Sequence, residues 1–323
     1  MLDELRQRHE YPMVRSGPQG EAVYTGPGAG RPIRPEQSDI EVRLRMMDAA
    51  GVDQQILRVQ NVGGIDAFEP DRAKIMARAV NAELSEIARK YPGRFIPFAA
   101  VPANEPEAAA QELVHAVEVL GHAGVGLSCQ IAGKGLDHEH YLPLLQAAQS
   151  LGVPLLLLPN HPPLLEPALR PYHWLAGAFG FQVDLTWAVL RLLHAGVFER
   201  FPDITIIVAN LGGVLSSITE RLDEYWNRVH TGSDTLPMMP SEGLRGFYYE
   251  TASAHPASIA AAAQLFGADR LVFGSDYPSF SLQRGVDNIR NSNLSEQEMD
   301  AVMRGNATTI FNGMHWAGRE KVQ

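Results

Sequence analysis

Short apolar runs alternate with longer amphipathic segments along most of the chain. The apolar runs predict β-strands near residues 55, 95, 125, 155, 205, 248 and 272. The run at 154–158 is wholly apolar, which is typical of a strand buried on both faces. The segments between the runs predict helices at residues 36–50, 71–91, 106–120, 138–151, 187–201, 213–228, 257–266 and 295–304. Such alternation predicts a parallel sheet with helical crossovers.

Two α/β architectures fit this order of elements, a parallel barrel and a doubly wound open sheet. No glycine-rich phosphate loop follows any of the predicted strands, which favours the barrel. A closed barrel of this class has eight strands. The sequence offers seven, because residues 1–12 are charged and helix-like. We therefore expect a single TIM-like (β/α)8 barrel domain over residues 1–323 with its first strand missing or replaced. Residues 1–35 would form an irregular arm, 36–312 the barrel and 313–323 a tail.

Composition narrows the classes of partner and location. The chain has 323 residues, 45% of them hydrophobic, and a formal net charge of −10. The negative charge and the lack of a lysine- or arginine-rich run argue against nucleic acid and anionic membranes as partners. No apolar run approaches the ~20 residues that span a bilayer. A single cysteine, Cys129, and a charged N-terminus without a signal peptide predict a cytoplasmic protein.

The segment Asp269-Arg-Leu-Val-Phe-Gly-Ser-Asp-Tyr-Pro278 contains the strongest candidate for chemistry. Its apolar run ends at Gly274, and Asp276 follows. Barrels of this class carry their functional groups at the carboxyl ends of their strands. The segment also resembles the last-strand motif of the amidohydrolase-2 (amidohydrolase-related) family, which includes the aminocarboxymuconate semialdehyde decarboxylases. Segments 41–53, 91–95, 196–203 and 305–307 resemble further motifs of this family in the right order, so the resemblance covers about residues 39–312.

The resemblance implies a barrel of the metal-dependent hydrolase type, but it also implies that the metal ligands are largely lost. In the family, an aspartate matching Asp276 and three histidines hold a divalent metal. Leu158 stands where relatives carry a ligand histidine, and Asn210 where they carry the catalytic histidine. The pair His138 and His140 follows the His-x-His pattern, but it lies at the start of a predicted surface helix. We expect no cofactor; zinc or another divalent metal at Asp276 with His161 and His255 is the alternative.

Three residues are candidate catalytic groups. Burial of Asp276 at a strand end would raise its pKa and make it a general acid or base. His255 follows the strand near residue 248 and could act as a general base beside Asp276. Asn210 can orient a substrate by hydrogen bonding but cannot carry a proton near neutral pH. Each also has a purely structural interpretation, as a residue held by backbone groups.

The remaining candidates would bind the substrate. The resemblance matches Arg221 to an arginine that relatives donate across a dimer, and places Arg31 or Arg34 near a second one; guanidinium groups suit carboxylates. Arg221 could instead pair with Glu224 on an exposed helix. His161 could reach the site from its loop. The aromatic residues around the same region, including His173, Trp174 and Trp187, could line an apolar pocket, although core packing also explains Trp187.

Three functions follow from these residues. The first is a metal-independent lyase of the decarboxylase, hydratase or cyclase type, or a hydrolase, acting on a small carboxylated aromatic or conjugated substrate. The second is a non-catalytic paralogue that binds a ligand or pairs with an active partner, with Leu158 and Phe280 filling the site. The third is a metal-dependent decarboxylase or hydrolase with replacement ligands. A homodimer is expected, with a paralogous partner subunit as the alternative.

Overall fold

The helices and strands of the chain form two compact units. A computed structural model describes residues 2–17, 20–24, 30–59, 64–160, 166–169, 171–229 and 238–319. One unit contains the chain up to Gly126 together with the segment that starts at Met314, and the other contains Leu127–Gly313. A single barrel domain over the whole chain stays a prediction.

The first unit combines a small antiparallel sheet with two parallel strands and their helices. Its elements are α1 (Leu2–Gln7), β1 (Met13–Gly17), β2 (Gly20–Tyr24), β3 (Arg31–Pro32), α2 (Pro35–Ser38), α3 (Ile40–Ala50), β4 (Gln55–Leu57), α4 (Pro70–Lys90), β5 (Phe95–Pro97) and α5 (Pro106–His115). A 3₁₀ turn at Ile65–Ala67 precedes α4, and a π-helix at Ala116–Leu120 continues α5. The next strand, β6 (Val125–Ser128), begins in this unit.

The N-terminal segment contains regular structure where the sequence predicted an irregular arm. Strands β1 and β2 are antiparallel: Met13 lies opposite Tyr24 at one end of the pairing, and Gly17 lies opposite Gly20 at the other. Strand β3 pairs with β2. Strands β4 and β5 are parallel, with Gln55 opposite Phe95 and Leu57 opposite Pro97. In the described part of this unit, the antiparallel sheet precedes β4 in the sequence. An eight-stranded barrel would have its first parallel strand at this point of the sequence.

The second unit carries the rest of the parallel sheet. Its elements are β7 (Gln130–Ile131), β8 (Lys134–Gly135), α6 (Leu142–Leu151), β9 (Leu155–Leu158), α7 (Glu166–Leu169), α8 (His173–Leu175), α9 (Phe181–His194), α10 (Val197–Arg200), β10 (Ile206–Val208), α11 (Leu215–Val229), α12 (Pro240–Leu244), β11 (Tyr248–Glu250), α13 (Pro256–Phe266), β12 (Leu271–Val272), α14 (Leu282–Arg290), α15 (Glu296–Asp300) and α16 (Asn306–Ile310). Short 3₁₀ turns lie at Glu139–Tyr141, Asn210–Gly212 and Ala268–Arg270, and π-helices at Ala176–Gly180 and Ala301–Gly305.

The sheet order β12-β11-β10-β9-β6 explains the hydrophobic pattern of its strands. The pairs β9–β10, β10–β11 and β11–β12 are parallel. Strand β9 lies inside the sheet, and all four of its leucines are buried, as its wholly apolar sequence predicts. Against β11, the rings of Tyr249 and Phe266 stack with centroids 4.3 Å apart. The parallel strands therefore share one apolar core, and their carboxyl ends lie at one edge of the sheet.

All seven predicted strands are present, whereas several helix bounds differ from the prediction. The helix predicted at 187–201 begins at Phe181 and is divided into α9 and α10, and α14 was not predicted. The capping box predicted at the start of α15 is confirmed, since the Ser295 hydroxyl accepts from the Glu298 amide and the Glu298 carboxylate accepts from the Ser295 amide. In the described part of the chain, no helix is both long enough and apolar enough to span a bilayer.

Candidate functional site

Three neighbouring strands of the second unit are followed, within four residues, by polar residues with an unusual backbone. Asn210 follows β10, Ser253 follows β11 and Asp276 follows β12. Their φ angles are 51°, 56° and 50°, in the left-handed region. Residues other than glycine seldom adopt this conformation, and such residues cluster at functional sites. The carboxyl edge of the sheet therefore presents three polar side chains from a constrained backbone.

Glu250, the last residue of β11, ties two of these strand ends together. Its Oε2 accepts a hydrogen bond from the backbone amide of Asn210 at 3.1 Å, and its Oε1 accepts one from the amide of Ala252 at 3.0 Å. Hydrogen bonds to a carboxylate are stronger than those between neutral groups. The Glu250 side chain thus fixes the backbone just after β10 and just after β11.

The side-chain amide of Asn210 makes a second link between the same two strand ends. Its Nδ2 donates to the carbonyl oxygen of Ala252 and to Oγ of Ser253, both at 3.2 Å. These bonds connect residues 42 and 43 positions apart in the sequence. Asn210, Glu250 and Ser253 therefore form one hydrogen-bonded cluster.

Gly274 lets β12 approach this cluster. A methyl group at this position would overlap Oε1 of Glu250, so only glycine fits here without displacing the carboxylate. The Gly274 amide also donates to Oγ1 of Thr251 at 3.2 Å. Close packing against Glu250 thus explains the glycine of the Phe-Gly-Ser-Asp motif. This glycine lies two residues before Asp276.

Asp276 is exposed, so the prediction that it is buried at the strand end is wrong. Its backbone carbonyl accepts hydrogen bonds from the amides of Ser279 at 2.7 Å and Phe280 at 3.3 Å, which folds the chain into a tight turn after β12. Phe280 is itself 49% exposed. The non-catalytic alternative predicts a site filled by Leu158 and Phe280; Leu158 is buried and Phe280 is not, so this alternative stays a prediction.

His255 lies at the N-terminus of α13, where it caps the helix. Its Nδ1 accepts a hydrogen bond from the amide of Ala257 at 3.2 Å, and its side chain is exposed. A ring nitrogen that accepts from a backbone amide fixes the tautomer, so Nε2 is the nitrogen that carries the proton when the ring is neutral. This cap is the structural role that the sequence left open, and a catalytic role would use Nε2.

The end of β9 has an alkyl side chain where a ligand would lie in relatives. Leu158 is buried, and the amide of Asn160 just beyond it donates to Oδ2 of Asp184 at 2.8 Å. Burial raises the pKa of Asp184 from 3.8 to about 6, although hydrogen bonds from Asn160 and from the Cys129 thiol act in the opposite direction. Burial also raises the pKa of Cys129 well above its usual value, which agrees with an inert structural thiol. His161 lies outside the described residues.

The candidate arginines belong to different units of the chain. Arg221 is exposed on α11; its Nη2 lies 3.4 Å from the Tyr225 hydroxyl and its guanidinium lies 5.1 Å from the Tyr225 ring centroid. Glu224 pairs with Arg228 instead. Arg34 is exposed at the start of α2 in the first unit, and the backbone of Arg31 lies in β3. The side chain of Arg31 lies outside the described part of the structure.

The aromatic candidates around α8 and α9 are exposed. Trp174 is 73% exposed and Trp187 is 50% exposed, so core packing does not explain Trp187. The guanidinium of Arg191 lies 6.0 Å from the Trp187 ring centroid. The side chain of His173 lies outside the described part of the structure. A role of these residues in substrate binding stays a prediction.

Comparison with known proteins identifies the family. Residues 31–313 match the Amidohydro_2 family, described as amidohydrolase. The chain belongs to this amidohydrolase family. A gamma-resorcylate decarboxylase from Polaromonas sp. strain JS666 is 30% identical over 285 residues, which cover 83% of this chain and 86% of that protein. A 2-amino-3-carboxymuconate-6-semialdehyde decarboxylase from Dictyostelium discoideum is 24% identical over 241 residues, covering 74% and 67%.

A solved structure agrees with these sequence relatives. The dihydroxybenzoic acid decarboxylase of Polaromonas sp. JS666, with bound manganese and the inhibitor 2-nitroresorcinol, has a TM-score of 0.77 and 28% identity, covering 85% of each chain. The predicted α/β fold of the TIM-barrel type and the predicted family are therefore confirmed. These three relatives of the chain are decarboxylases, which are lyases, as the sequence predicts.

The manganese of that relative does not support the expectation that no cofactor is used. The residues described here, however, do not fit a metal centre like that of the family. Among them, no three histidine, cysteine, aspartate or glutamate side chains lie together in a group that could hold a metal ion. Leu158 offers no donor atom. The His138 and His140 pair lies in the first turn before α6, where Nδ1 of His138 accepts from the amide of His140 at 3.1 Å, so it caps a helix as the structural interpretation predicts.

Sequence reasoning missed three carboxylates of this amidohydrolase. Glu250 and Asp184 hold the strand ends described above. In the first unit, Asp66 accepts from the amide of Ala103 at 3.0 Å, and burial raises its pKa from 3.8 to about 6. The residues Tyr-Tyr-Glu-Thr at 248–251 place Glu250 at the end of a strand, which was the available signal. Asp184 and Asp66 carry no comparable signal, because their burial depends on tertiary packing.

Proposed function

We propose that this chain is a decarboxylase-type lyase for small carboxylated aromatic acids, with hydroxybenzoates as the leading class. The observation that carries the proposal is the exposure of Asp276 at the end of β12, where its side chain can reach a bound molecule. The names of the relatives supply the substrate class, since two of them act on resorcylate or dihydroxybenzoate. Arg221, Arg31, Arg34, His161, His173 and Trp174 are the proposed substrate-binding residues.

The reaction needs one proton and one broken carbon–carbon bond. Asp276 would take up a proton from solvent and transfer it to the ring carbon that carries the substrate carboxylate. The bond to the carboxylate then breaks, its electron pair returns to the ring, and CO₂ leaves. Solvent, with His255 as the relay, would return the proton to Asp276. A hydroxyl group on the ring supplies the electron density that makes the ring carbon basic.

We propose that this chemistry does not require a metal. The supporting observations are the buried alkyl group of Leu158 at the end of β9 and the hydrogen-bonded amide of Asn210 at the end of β10. A divalent metal held by Asp276 with His161 and His255 is the competing arrangement, and the manganese of the solved relative makes it plausible. Elemental analysis of the purified protein distinguishes the two: about one manganese, zinc or iron per chain would refute metal independence.

The activity itself is tested by incubating the purified chain with a panel of hydroxybenzoates. We expect liquid chromatography to show loss of the acid and appearance of the matching phenol, and the Asp276→Asn variant to lose at least about 100-fold in rate. The matched control is Asp203→Asn, because Asp203 is an exposed aspartate of the same unit. Binding without turnover of any acid in the panel would favour the non-catalytic alternative. A homodimer and a cytoplasmic location remain predictions.

A further inference from the structure

The position of the Glu250 carboxylate between three strand ends is not used by the proposed reaction. Both of its oxygens accept from backbone amides, those of Asn210 and Ala252, at 3.1 and 3.0 Å. Gly274 leaves room for it on the β12 side. A carboxylate held in this way fixes the backbone just after β10 and just after β11, so we assign it a role in holding other groups in place.

The group that Glu250 holds most directly is Asn210. The backbone of Asn210 is in the left-handed conformation, with a φ of 51°, and its amide is anchored on Glu250. The side chain then projects so that Nδ2 donates to the Ala252 carbonyl and to Ser253 Oγ. An asparagine amide has two N–H hydrogens, and these two contacts use both. The atom that Asn210 can offer to a ligand is its carbonyl oxygen, Oδ1.

An amide oxygen only accepts hydrogen bonds, which restricts what can bind beside it. A carboxylate oxygen there would face another acceptor, whereas a hydroxyl group would donate to it. We propose that Glu250 is a positioning residue that fixes Asn210 as an acceptor for a hydroxyl group of the ligand. This inference deepens the proposed function and rests on it for the class of ligand, an aromatic acid with a hydroxyl next to its carboxylate.

The positioning role can be measured without any ligand. In protein labelled with ¹⁵N-asparagine, the backbone amide proton of Asn210 is assigned from the signal that disappears in Asn210→Ala. We expect this proton to shift upfield in Glu250→Gln, because the Asn210 amide then meets either a neutral amide oxygen, which is a weaker acceptor than a carboxylate, or an NH₂ group that cannot accept. It should not shift in Glu242→Gln, the matched control at an exposed glutamate of α12. An unchanged Asn210 signal in Glu250→Gln would overturn the positioning role.

Selectivity for a hydroxyl is measured by calorimetric binding of two probes, 2,6-dihydroxybenzoate and 2,6-difluorobenzoate. The fluorines are smaller than hydroxyls and cannot donate. The wild type should prefer the dihydroxy acid by about tenfold, the size expected for one hydrogen bond. Glu250→Gln and Asn210→Ala should bring the preference close to one, whereas Glu242→Gln should keep it. If Glu250→Gln does not fold, Asn210→Ala carries the test.

The outcomes separate this inference from the proposed function. Decarboxylation without a preference for the dihydroxy acid, or with a preference that survives Asn210→Ala, would leave the proposed function standing and overturn the acceptor role. Failure of the wild type to bind either acid would overturn both the proposed substrate class and the acceptor role. The nuclear magnetic resonance comparison would then still decide whether Glu250 positions Asn210.

Discussion

Asp184 is a buried carboxylic acid whose ionisation the folded chain opposes, and replacing it with asparagine tests this directly. The side chain is 5% exposed and accepts from the amide of Asn160 at 2.8 Å. An asparagine has nearly the same shape, and its amide oxygen can accept the same hydrogen bond. Unlike the carboxyl group, it does not ionise. The variant therefore removes the charge and keeps the contact.

The size of the effect follows from the pKa of Asp184, which burial raises from 3.8 to about 6. Because the pKa is higher in the folded chain, the contribution of Asp184 to stability is fully present below pH 3.8. This contribution is lost as the pH rises from 3.8 towards 6, and no more of it is lost above that. A difference of about two pKa units corresponds to about 3 kcal/mol in the free energy of unfolding. Asparagine does not ionise, so Asp184→Asn does not lose this stability. Its free energy of unfolding, relative to that of the wild type, should therefore increase by about 1.5 kcal/mol between pH 5 and pH 8.

Urea denaturation of the wild type and Asp184→Asn at pH 5, 6, 7 and 8 measures this difference in the free energy of unfolding. Any change in packing that the new amide causes is constant with pH, so the slope of the difference isolates the charge. Asp203→Asn is the matched control and should show no such slope. A difference between wild type and Asp184→Asn that is independent of pH, or that widens towards acid, would show that the folded chain does not oppose this ionisation.

Three further predictions concern Gly274 at the edge of the sheet, Arg221 on α11 and the metal. Gly274→Ala should lower stability by about 1–3 kcal/mol and reduce turnover, because the new methyl group displaces Glu250; an unchanged melting temperature would contradict the packing argument. Arg221→Ala should raise KM for hydroxybenzoates while changing stability by less than about 0.5 kcal/mol, since its side chain is exposed; an unchanged KM would remove Arg221 from the binding site. Prolonged dialysis against a chelator should leave turnover intact, and a loss that added manganese restores would establish a metal-dependent enzyme.

The strands could be predicted because each is a short apolar run between turn residues, and the run that became β9 is apolar throughout since both of its faces are covered. Helix α14 repeats buried apolar residues at Leu282, Val286 and Ile289, a spacing typical of an amphipathic helix. The start of α9 at Phe181 was missed because the residues before it form a π-helix, which the pattern does not distinguish from a loop.

The site could be predicted only in part, since its geometry depends on contacts between distant segments. The motif around Asp276 located the end of β12, but it gave no information on exposure, and the predicted burial was wrong. The role of Glu250 depends on residues 40 positions away in the sequence. Asn210 was a candidate because it stands where relatives carry a histidine. Its hydrogen bonds, however, depend on Ala252 and Ser253 at the end of the neighbouring strand. Local patterns identify candidates, and tertiary packing decides their partners.

The environment of Cys129 has a practical consequence for spectroscopy. This is the only cysteine of the chain, it is buried, and burial raises the pKa of its thiol well above the usual value. Maleimide dyes and nitroxide labels react with exposed thiolates, so they should leave the native protein unmodified. A cysteine introduced at an exposed position, such as Val119, would then be the single reactive thiol. Fluorescent or spin labels can thus be attached without first removing the native cysteine.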